Sequence, residues 1–252
     1  MKGPQTAAQK AAKILAKDIA TQALLKRANA AAASLGATTV TLGLVSGKAY
    51  EAWVMLEIAT AFRTHPSHPV RVEVCDNIGG KTATLRIGDG PRPMSGTTFN
   101  ADAAGFLRIH APTPMELHNS LLHRGRSGET HELDVALIDA AKAKALRASG
   151  GGAFFEKPEL GMELKDYAPP SSLSKNIARA LLGVAVDLKG IYYRAGPPFH
   201  GRWPGRFALA TPTGLSKPTR NMLDKVNITP MTGLTPTGAG NRFERIARKW
   251  LG

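Results

Sequence analysis

Residues 131–138 read His-Glu-Leu-Asp-Val-Ala-Leu-Ile, with Leu133, Val135 and Leu137 alternating with Glu132, Asp134 and Ala136. Successive side chains of a strand point to opposite faces, so this run predicts a short strand with one aliphatic and one carboxylate-bearing face. Asp134 is expected to point away from the aliphatic layer. Residues 161–167, Gly-Met-Glu-Leu-Lys-Asp-Tyr, repeat the pattern: Met162 and Leu164 go to one side, Glu163 and Lys165 to the other. If the two strands pair, Asp134 and Glu163 meet at one spot with Lys165 beside them.

Two carboxylates and a lysine are parts that phosphodiester hydrolysis can use. Carboxylate oxygens hold Mg²⁺ weakly enough to leave it several waters, and a neighbouring lysine can steer or deprotonate one of them. An apolar strand carrying Asp134, then Glu163-Leu164-Lys165 as a Glu-x-Lys strand, then a helix resembles the PD-(D/E)XK nuclease superfamily, the restriction-endonuclease-like fold. The resemblance covers roughly residues 46–216 and is one of pattern, carried by the order of the pieces.

The resemblance implies an α/β domain whose mixed central β-sheet is flanked by helices. It implies Mg²⁺, with Mn²⁺ as a substitute, held by Asp134, Glu163 and the main-chain carbonyl of Leu164. Lys165 would orient the attacking water or lower its pKa. In the resembled family the helix before the sheet often carries an acidic residue that reaches the metal site, and Glu51 is the candidate here. A solvated carboxylate favoured by the helix dipole is the other reading of Glu51. Glu156 and Glu159 compete with Glu163 for the acidic role, and the aliphatic context and adjacent Lys165 favour Glu163.

A net charge of +14, from 33 Lys and Arg against 19 Asp and Glu, favours a polyanionic partner. Nucleic acid comes first, DNA before RNA. An anionic membrane surface would attract the same charge, but no basic amphipathic helix with Trp or Phe anchors stands out. Cys75 is the only cysteine, which excludes an intrachain disulfide or a cysteine-based zinc site. Lys2, Lys10, Lys13 and Lys17 interrupt the apolar residues near the start, and no run approaches about 18 apolar residues, so a soluble cytoplasmic protein is expected. Gly79-Gly80-Lys81-Thr82 is not a phosphate loop, because Cys75 stands where the first glycine of that motif belongs.

Along the chain, residues 5–35 predict an Ala/Lys-rich helix within an N-terminal extension, 1–36. Its thin apolar stripe suits packing on one side or docking on another protein. The main domain is expected over 37–228. Lys48–Phe62 should be a helix, Val70–Val74 and Thr82–Ile87 a hairpin, 88–96 a loop, and Met115–Leu122 a short helix. Residues 139–159, with an Ala/Lys helix at 140–148 and Gly150-Gly151-Gly152, read as an insertion between the motif strands. Leu173–Leu188 and Ser216–Val226 predict helices, Ile191–Tyr193 and Arg206–Thr211 strands. Thr229–Gly240 is a linker or long loop before a basic C-terminal helix, so 229–252 forms an appendage.

Three basic groups are candidates for nucleic-acid contact. Arg124 and Arg126 lie in a glycine-containing turn whose backbone amides could also grip a phosphate, though a plain turn would read the same. Lys175 and Arg179 lie on the helix after Glu-x-Lys. Arg202 and Arg206 flank Trp203, an arrangement that can combine ionic contact with stacking. The expected activity is Mg²⁺-dependent nucleic-acid hydrolysis, as a DNA endonuclease before other modes. Recruitment by a partner in defence against phage fits the same features, and cutting both strands would call for a homodimer. A non-catalytic nucleic-acid-binding or assembly subunit of this fold is the alternative.

Overall fold

The computed structural model describes residues 7–42, 47–166, 173–188 and 207–251. The order of elements is α1 (Ala7–Ser34), β1 (Thr39–Leu42), α2 (Lys48–Arg63), β2 (Val72–Cys75), β3 (Thr84–Ile87), β4 (Phe106–Ile109), β5 (Met115–Arg124), β6 (Thr130–Asp139), α3 (Ala140–Ala148), β7 (Leu160–Leu164), α4 (Lys175–Asp187), β8 (Phe207–Thr211), α5 (Lys217–Lys225), β9 (Ile228–Thr232) and α6 (Arg242–Leu251). Seven strands form one mixed sheet in the order β2-β4-β5-β6-β7-β8-β9. Pairing is antiparallel from β2 to β7 and parallel from β7 to β9. A separate parallel pair joins β1 and β3.

Helices cover both faces of the sheet, as expected. On one side Leu24 and Ala28 of α1, Trp53, Val54 and Ile58 of α2, and Phe243 and Ala247 of α6 pack with Val135, Leu137, Met162 and Leu164. On the other, Ala143 of α3, Ala178 and Leu181 of α4, and Leu223 of α5 pack with Leu133, Ala136, Ile138, Phe207 and Leu209. A sheet covered on both faces needs apolar residues on both, which is why β6 is buried without a break from Leu133 to Ile138. The expectation of one aliphatic and one polar face of β6 is therefore corrected. Leu133 and Val135, two apart, belong to different core layers.

The reason lies in β5. The β5–β6 ladder pairs Asn119 with Val135 and resumes with Leu121 and Leu133, leaving out the step at which Ser120 faces Asp134. Ser120 has φ 47°, in the left-handed region that a residue with a Cβ rarely adopts. That break frees Asp134 from regular alternation.

Several local expectations change. Met115–Leu122 is the first part of a ten-residue strand and not a helix, because β4 and β6 pair with it on either side. The turn after β2 does start a hairpin, with Asp76 N–H donating to Gly80 O at 2.8 Å, but β3 then leaves to pair with β1. Thr229–Gly240 opens as the edge strand β9. The expected strand Ile191–Tyr193, with Arg202, Trp203 and Arg206, lies outside the described residues. Among the described residues no helix is long and apolar enough to cross a membrane.

Candidate active site

The two motif strands are antiparallel neighbours, with Val135 opposite Met162 and Leu137 opposite Leu160. The intervening segment does not separate them. It forms α3 and then runs back along β5, where Phe154 N–H donates to Leu122 O and accepts Arg124 N–H at its carbonyl, both at 2.8 Å.

The ladder ends at Val135 and Met162, and the Asp134 side chain takes over from it. Leu164 N–H donates to Asp134 Oδ2 at 2.6 Å, so the carboxylate stands where a strand carbonyl would otherwise accept. Lys165 Nζ lies 2.5 Å from Glu163 Oε1 and 4.0 Å from Asp134 Oδ2. Asp134, Glu163, Leu164 and Lys165 thus share one place.

The N-terminus of α2 completes it. Lys48 Nζ contacts Glu51 Oε2 and Ser120 Oγ, each at 2.6 Å, and lies 3.9 Å from Glu132 Oε1. Ser120 Oγ donates in turn to Glu51 Oε2 at 3.1 Å. Glu57, the other acid on this helix, accepts from Trp53 Nε1. Glu156 pairs with Lys142 of α3.

Burial drives the Asp134 carboxyl well above the ordinary carboxylate range, to about 7; the charges of Glu163 and Glu51 add to this, while the Leu164 amide and Lys165 oppose it. Burial also raises Glu51, against the pull of Lys48 and Ser120 and with the help of Glu132. Arg92, in the loop before β4, is lowered to about 10 by burial, partly offset by Glu51, Glu132 and Asp89. Its Nη2 donates to Asn119 Oδ1 at 2.7 Å, and its main chain bonds to Ser120 O and Leu122 N–H, so it braces the left-handed turn from outside. The site holds more carboxylate than its cations neutralise.

The fit to a divalent cation follows from that imbalance. Asp134 Oδ1, Glu163 and one carbonyl are hard oxygen donors, few enough to leave Mg²⁺ several waters, and a cation there would relieve the charge that raises Asp134. Among the described residues no three His, Cys, Asp or Glu side chains stand close enough to hold a metal by themselves.

The basic candidates fall outside this cluster. Arg124 and Arg126 are exposed at the tip of the β5–β6 hairpin. The amides of that turn are engaged internally: Gly125 N–H with Glu129 O, Arg126 N–H with Asp187 O, Ser127 N–H with Asp187 Oδ1, and Glu129 N–H with Ser127 Oγ. Asp187 also accepts from Ser127 Oγ and meets His131 Nε2 at 2.6 Å; these bonds hold its carboxyl down at about 2. The arginine side chains remain for a phosphate, while the expected amide grip is already used by Asp187. Lys175 and Arg179 are exposed on α4, in the helix layer opposite α2.

Sequence reasoning passed over Lys48, Ser120, Glu132 and Arg92. Lys48 and Glu51 are three apart on one helix, and that spacing places them side by side. Nothing in the identity of Ser120 signals a left-handed backbone. No family model, no curated protein and no solved structure matches the chain.

Proposed function

We propose that the protein is a metal-dependent nuclease that hydrolyses nucleic-acid phosphodiester bonds, with DNA as the preferred substrate, on a fold of restriction-endonuclease-like type. The observation that carries this reading is the convergence of Asp134, Glu163 and Lys165, with Lys165 Nζ 2.5 Å from one carboxylate and 4.0 Å from the other. The order of elements supports it: helix α2 with its acid, the Asp134 strand, the Glu-x-Lys strand, then α4.

Asp134, Glu163 and the Leu164 carbonyl would hold Mg²⁺. The bound ion would polarise the phosphate and lower the pKa of a coordinated water. The chain's own residues do the remaining work. Lys165, anchored on Glu163, positions the attacking water and compensates charge on the phosphate. The Leu164 amide fixes one oxygen of Asp134 and so aims the other. Glu51, partly buried and raised, can take up a proton from a neighbouring water. Exposed arginines, Arg124 and Arg126 among them, meet the nucleic-acid backbone.

One observation favours the non-catalytic reading: Glu51 and Glu163 are each already paired with a lysine. Glu163→Gln decides between them. Mg²⁺-dependent cleavage of a DNA duplex by wild type, abolished in Glu163→Gln with binding retained, supports the enzyme. Salt-sensitive binding without cleavage in Mg²⁺ or Mn²⁺, with DNA or RNA, would identify a binding subunit.

A further inference from the structure

We infer that Lys48 is a built-in cation: its ammonium fills the place of a second metal ion beside Glu51, Glu132 and Ser120, so that the site takes a single divalent cation. This inference rests on the reading of Asp134 and Glu163 as metal ligands.

Three unfavourable features converge on Lys48. It is the first residue of α2, where the aligned peptide dipoles present partial positive charge and repel an ammonium. It is buried, 6% exposed, although lysine is among the residues least often enclosed. It leans on Ser120, which holds a left-handed backbone for which glycine would be the ordinary choice. An ordinary core position would carry none of these, and costs of this kind gather where a site requires them.

What the site requires here is positive charge. Glu51 Oε2 and Ser120 Oγ lie 2.6 Å from Nζ and Glu132 Oε1 3.9 Å away, all hard oxygens of the type that Mg²⁺ and Ca²⁺ take. Arg92 also bears on Glu51 and Glu132 but contacts neither within ion-pair distance; its Nη2 is spent on Asn119. A divalent cation among Glu51, Glu132 and Ser120 would have to share the place with the ammonium, and like charges in a buried position exclude each other. Lys165 differs. Its side chain is 29% exposed against 7% for Lys48, so it does not fill an enclosed place among the oxygens of Asp134 and Glu163.

Two consequences follow. Lys48 is a positioning residue, holding Glu51 and Ser120 toward Asp134 whether or not a metal is present. Removing its charge while keeping its neighbours should convert a one-metal site into a two-metal site.

The test is the number of Mn²⁺ ions bound per chain, from the electron paramagnetic resonance of free Mn²⁺ and from calorimetry on the full-length protein. Wild type and Lys48→Arg should bind one, and Lys48→Gln two. The second ion should vanish in Lys48→Gln/Glu51→Gln while the first remains. If thermal melting shows that Lys48→Gln is unfolded, Lys48→Met, with its apolar stem, takes its place. One ion in the charge-deleted variant, or two in wild type, overturns the inference. No Mn²⁺ bound by wild type contradicts the metal reading of Asp134 and Glu163 itself, a result distinct from the other two.

Discussion

Asp134 is where the folded chain bears an electrostatic cost that solution conditions can reveal. Its carboxyl is raised from an unfolded value near 3.8 to about 7. The folded state therefore holds the proton more tightly than the unfolded state. This favours folding fully at pH values below the unfolded pKa, and the contribution is lost as pH rises through 7. In buffer without divalent cations, Asp134→Asn should be more stable than wild type at pH 8, by on the order of 1–4 kcal/mol, with the gap closing toward pH 4. Urea unfolding at the two pH values measures it, and a variant less stable at pH 8 would contradict burial and like charge as the source of the cost. Saturating Mg²⁺ should narrow the difference by stabilising wild type alone. Glu163 and Lys165 were legible because a short run with period two carries their charges beside aliphatic residues; Asp134 meets them through the break in the β5–β6 ladder and not through alternation. Ser120 was not legible, since a left-handed backbone at a non-glycine residue follows from the strands around it.

At the level of elements, the order of helices and strands was readable wherever a run was long or its pattern regular, as in α2, α3, β6 and β7. Met115–Leu122 was misread because a short run with apolar residues at both spacings is settled only by its neighbours. Its strand form creates a buried polar cluster that no local pattern announces. Glu116 of β5 accepts two bonds from Arg147 of α3 and faces His118 Nε2 at 3.1 Å, while Arg147 stacks over Phe106 at 4.8 Å. Burial would raise Glu116, but the bonds from His118 and Arg147 prevail and hold it below its usual value. This cluster ties α3, and so the connection between the motif strands, to the sheet. Arg147→Ala leaves the carboxylate buried and unpaired and should cost about 3–5 kcal/mol in chemical denaturation. Gly151 tests the same connection from its other side. Its φ is +84°, and an added Cβ would collide with the Met94 carbonyl oxygen, so Gly151→Ala should destabilise by more than the roughly 0.4–1 kcal/mol that an unstrained Gly→Ala replacement adds to stability. A neutral Gly151→Ala would show that this connection is not tightly packed against residues 94–96.

Across the whole molecule, α1 and α6 join α2 in one core layer. Trp53 of α2 meets Phe243 of α6 edge-on at 5.5 Å, and Tyr50 Oη donates to Leu234 O at 3.0 Å. The sequence expectation set 1–36 and 229–252 apart as appendages; α1 buries mainly alanines, which carry little sequence signal, whereas α6 brings Phe243 and Ala247 into the same core. The net charge of +14 should appear as salt-dependent binding to nucleic acid. The slope of log K against log salt should fall by about 0.9 in magnitude for each phosphate contact removed, and Arg124→Ala/Arg126→Ala should reduce it by about 2. An unchanged slope would place the nucleic-acid path elsewhere on the surface.

The convergence of Asp134, Glu163 and Lys165 makes one assay the most direct. Supercoiled plasmid is incubated with wild type, Asp134→Ala or Lys165→Ala in Mg²⁺, Mn²⁺ or EDTA. Nicked or linear product is expected from wild type with either metal, none with EDTA, and a rate reduced roughly 10²-fold or more in each variant. Equal cleavage by all three proteins would contradict this site, and no cleavage in any condition, with equal DNA binding, would contradict the enzymatic reading for DNA.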